Sequence, residues 1–115
     1  MNIRKWLSVV FTALLVLFSV TASAQPTQSP VEVQFGHQSD PMSGMRYTVA
    51  YITAVGENVT LTGLRVNRGN CRESIGNPAV PLPIAFGQTV KYLYMKCERL
   101  IEAEVYTNQG NWVFN

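Results

Sequence analysis

Few residues in this sequence carry reactive chemistry, and their spacing decides what they could do. His37 is the one histidine. Asp40 follows three positions later, and Ser39 and Ser43 share the Gly36–Gly44 segment, so the residue types of a nucleophilic triad are present. A triad needs a serine raised on a sharp, glycine-framed turn beside oxyanion-stabilising N–H groups. Neither serine has that frame. Glu102 and Glu104 alternate on one face of an expected strand beside Tyr106, as on an exposed sheet face, whereas a glycoside-cleaving carboxylate pair faces across a cleft. No catalytic residue is assigned, and the chain is expected not to be an enzyme. His37, Met42 and Met45 fall within nine residues. Imidazole and thioether donors form a soft set suited to copper, which makes a copper-binding protein an alternative reading. Against it, the segment holds a single Met-Ser-Gly-Met, and Met45 has a competing role as the first core residue of a strand. No cofactor is expected in the main reading.

The cysteines bear on the framework that must position these groups. Cys71 and Cys97 are the whole complement, 26 positions apart. That distance does not suit a redox CxxC, and a metal site wants more thiols or histidines close by. An even count in a small exported domain reads as one disulfide. Closing a loop of that length is worth roughly 3.5 kcal/mol in the chain-entropy model. That is a large share of the 5–10 kcal/mol or so expected for a domain of this size.

Export is read from the first 24 residues. Arg4 and Lys5 form a short positive region, Trp6–Val20 is an apolar run, and Ala22-Ser23-Ala24 places small residues before Gln25. This is the three-part pattern of a cleaved signal peptide, and the run is short of the roughly 20 residues that span a bilayer. No membrane anchor is expected after cleavage, and the mature protein is expected to be periplasmic or secreted. The formal charge of +2 is carried by Arg4 and Lys5. From Gln25 onward the chain is near neutral and lacks the basic footprint of nucleic-acid binding. Residues 25–30 (QPTQSP) read as a disordered leader and 31–115 as one domain.

Periodicity in that domain is two rather than 3.6. Val31–Phe35 alternates as a first strand, Gly36–Gly44 reads as loop, and Met45–Ile52 carries aromatic and β-branched density. Val59–Val66 loses phase at Gly63, which predicts a β-bulge there. Arg72–Pro83, with Pro78, Pro81 and Pro83, reads as an irregular crossover. Ile84–Phe86 is expected as an edge strand, Thr89–Cys97 as a central one, and Ile101–Thr107 as an alternating one. Asn108-Gln109-Gly110 then turns into a last strand at Asn111–Phe114, with Gly110 at positive φ. The fold class is all-β, a small immunoglobulin- or fibronectin type III-like sandwich with one disulfide. A small barrel is the runner-up.

The surface offers more than any pocket. Tyr47, Tyr51, Tyr92, Tyr94, Tyr106 and Trp112 are many large aromatics for a domain of this size, and tyrosine is enriched at binding surfaces. Arg65, Arg68 and Arg72 cluster about the Asn67–Asn70 turn. Tyr92, Tyr94, Tyr106, Trp112, Arg65, Arg68 and Arg72 are therefore the expected protein-binding residues. The opposing view places the tyrosines half-buried on a sandwich face.

The stretch Leu64-Arg65-Val66-Asn67-Arg68-Gly69-Asn70-Cys71, the second cysteine after a tyrosine-rich strand, and the closing Thr107-Asn108-Gln109-Gly110-Asn111-Trp112-Val113-Phe114 carry a resemblance. With the signal peptide, they make the chain similar to the enterobacterial interleukin receptor mimic family. The resemblance implies a fibronectin type III sandwich, pairing of two copies by strand exchange, and likeness to host cytokine receptors. It transfers no binding residue. The combined expectation is a secreted or periplasmic protein-binding module whose partner is a host secreted protein or a bacterial envelope protein. The alternatives are a periplasmic copper-binding protein using His37, Met42 and Met45, and an inhibitor or immunity protein of a periplasmic enzyme.

Overall fold

The computed structural model describes residues 28–115. The expected signal peptide, 1–24, and the first part of the leader lie outside the described residues. Eight strands follow in chain order: β1 (Val31–Ser39), β2 (Arg46–Ala54), β3 (Val59–Val66), β4 (Arg72–Glu73), β5 (Leu82–Ile84), β6 (Thr89–Met95), β7 (Ala103–Thr107) and β8 (Gly110–Phe114). They form two four-stranded sheets, β1-β2-β6-β4 and β5-β3-β7-β8, in which every pairing is antiparallel. The sheets pack face to face as a β-sandwich. No described helix is long and apolar enough to cross a membrane.

Register explains the core. Ala50 on β2 stands opposite Phe35 on β1 and opposite Tyr92 on β6. A small residue between two rings lets both rings fill the space beneath the sheet. The inner row of β2 is accordingly Thr48, Ala50, Ile52 and Ala54, all buried, while Tyr47 and Tyr51 stand on the outer face. Val59, Leu61 and Val66 of β3, Ile84 of β5 and Ala103 and Val105 of β7 complete the core from the other sheet. Truncating a fully buried side chain of this kind, such as Leu61, costs about 2–5 kcal/mol.

Several strand boundaries differ from the sequence reading. β1 runs on to Ser39, because β2 supplies register partners through Ser39↔Arg46 and overrides the loop-like composition of Gly36–Ser39. Met45 therefore precedes β2, is 47% exposed, and is not a core residue. The strand expected to begin at Ile101 begins at Ala103, and Ile101 is 60% exposed. The edge strand expected at Ile84–Phe86 is Leu82–Ile84. The bulge at Gly63 is present as a register shift between Leu61 and Gly63 of β3 in its pairing with β7. Gly110 has φ of 131°, and Trp112 lies over it, so that a Cβ there would come within 3.0 Å of the indole.

Cys71 and Cys97 form the disulfide, with Cα atoms 5.3 Å apart, tying the crossover after β3 to the end of β6. Asn67 braces the same end. Its side-chain oxygen accepts from the N–H groups of Ile101 and Glu102 at 2.7 and 3.1 Å, and its amide donates to the Arg99 carbonyl at 2.9 Å. Side chains also occupy open sheet edges. Ser29 Oγ donates to the Val31 carbonyl at 2.7 Å and accepts from the Val31 N–H at 3.1 Å. The end of the leader is thus fastened to the sheet: Pro30 is buried, and its carbonyl accepts from the N–H of Val55 at 2.8 Å.

Candidate protein-binding face

The outer face of β3, β7 and β8 gathers charge, an aromatic ring and exposed apolar side chains. Arg65 of β3 stands opposite Glu104 of β7, and Glu104 opposite Val113 of β8. One pair along, Gly63 faces Tyr106. A Cβ at Gly63 would lie 3.0 Å from the Tyr106 ring, so the glycine gives that ring its place as well as allowing the bulge. Tyr106 donates a hydrogen bond to Glu104 Oε1. That bond holds the phenol above its ordinary range, and the Arg65 guanidinium pulls in the opposite direction.

Arg68 closes the face at the disulfide end. Its guanidinium reaches Glu102 at 3.3 Å. Arg68 is 76% exposed in its side chain, and a pair so wet contributes only about 0–1 kcal/mol to stability. The backbone of Arg68 is in the left-handed region, φ 56° and ψ 32°. A side chain other than glycine or asparagine costs on the order of 1 kcal/mol there. Arg65 Nη2 donates to the Arg68 carbonyl at 3.1 Å and holds the turn. Local folding therefore gains little from an arginine at this position. Ile101, 60% exposed, and Val113, 56% exposed, flank the Arg68–Glu102 pair. Together they present apolar contact framed by arginine, glutamate and tyrosine, the arrangement of an interface core with a polar rim.

Of the expected binding residues, Arg65, Arg68 and Tyr106 come together on this face. Tyr92 and Tyr94 do not. They are 2% and 4% exposed and sit inside the sandwich, which corrects their placement at the surface. Both faces of β6 are apolar, and the small Ala50 opposite draws the tyrosine face inward. Trp112 is half-buried on the opposite side of β8 from Val113, and Arg72 is exposed on β4 in the other sheet. Glu102 and Glu104 join the site as carboxylate partners. Val113 was available from its alternation with Trp112 and Phe114. Ile101 was misassigned to the buried row by continuing the β7 period two residues too far.

The copper alternative places His37 on β1, opposite Thr48, and Met42, 94% exposed, in the turn before β2. The hairpin alternation, carried on through the Asp40–Met45 backbone bond at 2.8 Å, sets His37 and Met45 on opposite faces. Met42 N–H donates to Asp40 Oδ1 at 2.9 Å, and this bond holds the Asp40 carboxyl below its usual range. The turn is therefore organised around Asp40. Among the described residues no group of three or more His, Cys, Asp or Glu side chains is arranged to hold a metal ion. The chain matches no protein-family model, no curated protein and no solved structure.

Proposed function

We propose that the protein is a non-catalytic binding module that works outside the cytoplasm and recognises another protein through the outer face of β3, β7 and β8. The observation that carries this reading is Arg68. It stands on a strained backbone, in a wet ion pair that adds little to stability, between the exposed apolar side chains Ile101 and Val113. Strain without a folding return is concentrated at sites kept for function. Arginine and tyrosine are also the residue types over-represented where protein interfaces hold most of their energy. The disulfide supports an oxidising compartment, as the leading segment of the sequence does. Likeness to cytokine-receptor mimics adds a host secreted protein as the partner class to test first.

The experiment is affinity capture with the mature protein and with Arg68→Asn and Val113→Asp variants. Retention of a partner by the wild type and its loss from both folded variants supports the reading. Equal capture by all three refutes this face. Strand exchange between two copies stays part of the proposal for β1 and β8, each of which ends its sheet with a single partner strand. A monomer mass by light scattering at micromolar concentration, in low and high salt, would end that part.

A further inference from the structure

A second site lies away from this face, on the open side of the sandwich, where residues 74–80 cross from one sheet to the other. A cleft of about 560 Å³ opens there between Leu64 of the bulged β3, Glu73 of β4, Ile75, Val80 and Tyr92 of β6. Its size falls within the range of small-ligand and side-chain pockets, about 300–1,000 Å³. Two features set its chemistry. Tyr92 is 2% exposed, and its hydroxyl has no hydrogen-bond partner in the protein. A buried hydroxyl without a partner is rare and calls for an explanation. Glu73 is the one charged side chain in the lining. Burial first, and then the negative charge of Glu73, raise the Tyr92 phenol above its ordinary range. The Asn77 amide is already committed to the backbone of Leu93.

We propose that this cleft is a recognition pocket for a cationic group on an aliphatic stem, with Glu73 binding the charge, Tyr92 Oη taking a hydrogen bond at depth, and Leu64, Ile75 and Val80 covering the stem. A carboxylate and an unpartnered phenol oxygen, in a cleft of mixed polar and apolar lining with no cationic side chain, suit an ammonium or guanidinium and disfavour an anion, because a carboxylate or phosphate would meet Glu73 with like charge. A lysine or arginine side chain of a partner protein and a free alkylamine share this chemistry. The pocket shares only the Gly63 backbone with the Arg68 face and none of its charged or exposed apolar side chains, so the two assignments stand or fall independently.

The test is a heteronuclear NMR titration of the disulfide-bonded protein with n-butylammonium chloride, with N-acetyl-lysine methylamide and with n-butanol as the uncharged stem. Saturable shifts at the amides of Gly63, Leu64, Ser74 and Asn77 are expected from the cationic probes, with n-butanol at least about tenfold weaker. Binding by the lysine derivative identifies a protein side chain as the source; binding by butylammonium alone identifies a free amine. Glu73→Gln, at an exposed position, should weaken the cationic probe about tenfold, and Tyr92→Phe about threefold, both with otherwise unchanged spectra. No saturable shift at these amides, an equal response to n-butanol, or full affinity in both variants would overturn the assignment.

Discussion

The carboxamide of Asn77 meets both backbone groups of Leu93, accepting from its N–H at 2.8 Å and donating to its carbonyl at 2.9 Å. β4 pairs with β6 only at Arg72↔Met95 and Glu73↔Tyr94; beyond Glu73 the Ser74 N–H still reaches the Leu93 carbonyl at 3.0 Å, and the Asn77 side chain supplies the remaining bonds. Asn77→Ala leaves two part-buried backbone groups without that partner. The Leu93 carbonyl keeps the Ser74 N–H, whereas the Leu93 N–H loses its partner, so a loss of about 1–2 kcal/mol is expected in urea unfolding. Hydrogen exchange at the Leu93 amide should accelerate in the same variant. A loss well under 1 kcal/mol, with Leu93 exchange unchanged, would show that the edge is held by other means.

Tyr92 gives the opposite sign. Its hydroxyl is buried and unpartnered, so Tyr92→Phe removes a desolvation penalty and leaves the ring in place. Stabilisation by about 1 kcal/mol is expected. Destabilisation in thermal or urea unfolding would mean that the hydroxyl has a partner in solution. Coupled with weaker binding of a cationic probe, stabilisation would mark a residue kept for recognition at the expense of folding.

Alkaline pH should destabilise the fold. Burial pushes the Tyr94 phenol far up, with the charge of Glu73 adding to it, and Tyr92 shifts in the same direction for the same causes. A folded-state pKa above the unfolded one means that the unfolded chain releases its protons first. The stability linked to these phenols is therefore complete below about pH 10 and is lost as pH rises beyond it toward the folded value. Absorbance at 295 nm should show part of the tyrosine ionisation arriving together with loss of β-sheet circular dichroism. Complete ionisation of all five tyrosines with the sheet signal intact would contradict the burial of Tyr92 and Tyr94.

Reduction of Cys71–Cys97 is expected to cost roughly 3.5 kcal/mol for its 26-residue separation. Mass spectrometry with alkylation before and after reduction checks the bond itself, and two alkylatable thiols in the unreduced folded protein would refute it. The thermal midpoint should fall on reduction, because only the Asn67 hydrogen bonds and the exposed Arg68–Glu102 pair then tie the β3 crossover to the Arg99–Glu102 segment.

Local signals were legible in the sequence, and long-range ones were not. The phase break at Gly63 identified the bulge, the cysteine count the disulfide, and Asn-Gln-Gly the last hairpin, because each rests on residues adjacent in the chain or on plain arithmetic. The inward turn of Tyr92 and Tyr94 depends on which residue stands across the sheet, and Ala50 lies some forty positions upstream. Asn67 reads as a turn residue by type, and Asn77 falls within the Arg72–Pro83 crossover. Their work is done on Ile101 and Leu93, which no local pattern connects to them. The site divides the same way. Arg65 and Arg68 lie three positions apart in the chain, whereas their union with Tyr106, Glu102 and Val113 required the β3-β7-β8 register.

Arg68 and Val113 are proposed to face a protein partner. The most direct measurement immobilises the mature disulfide-bonded protein beside its Arg68→Asn/Val113→Asp double variant, with Arg72→Ala on the other sheet as a control. Each surface is exposed to periplasmic extract and, separately, to host secreted proteins, and every retained protein is purified and its affinity measured by surface plasmon resonance. Asparagine tolerates the left-handed backbone, so the double variant should unfold within about 1 kcal/mol of the wild type. The expected result is a partner bound equally by the wild type and the Arg72→Ala control, and at least about a hundredfold more weakly by the double variant. Recovery from the host arm would favour the receptor-like reading, and recovery of a bacterial enzyme the inhibitor or immunity reading. A partner held with equal affinity by the folded double variant would contradict the claim.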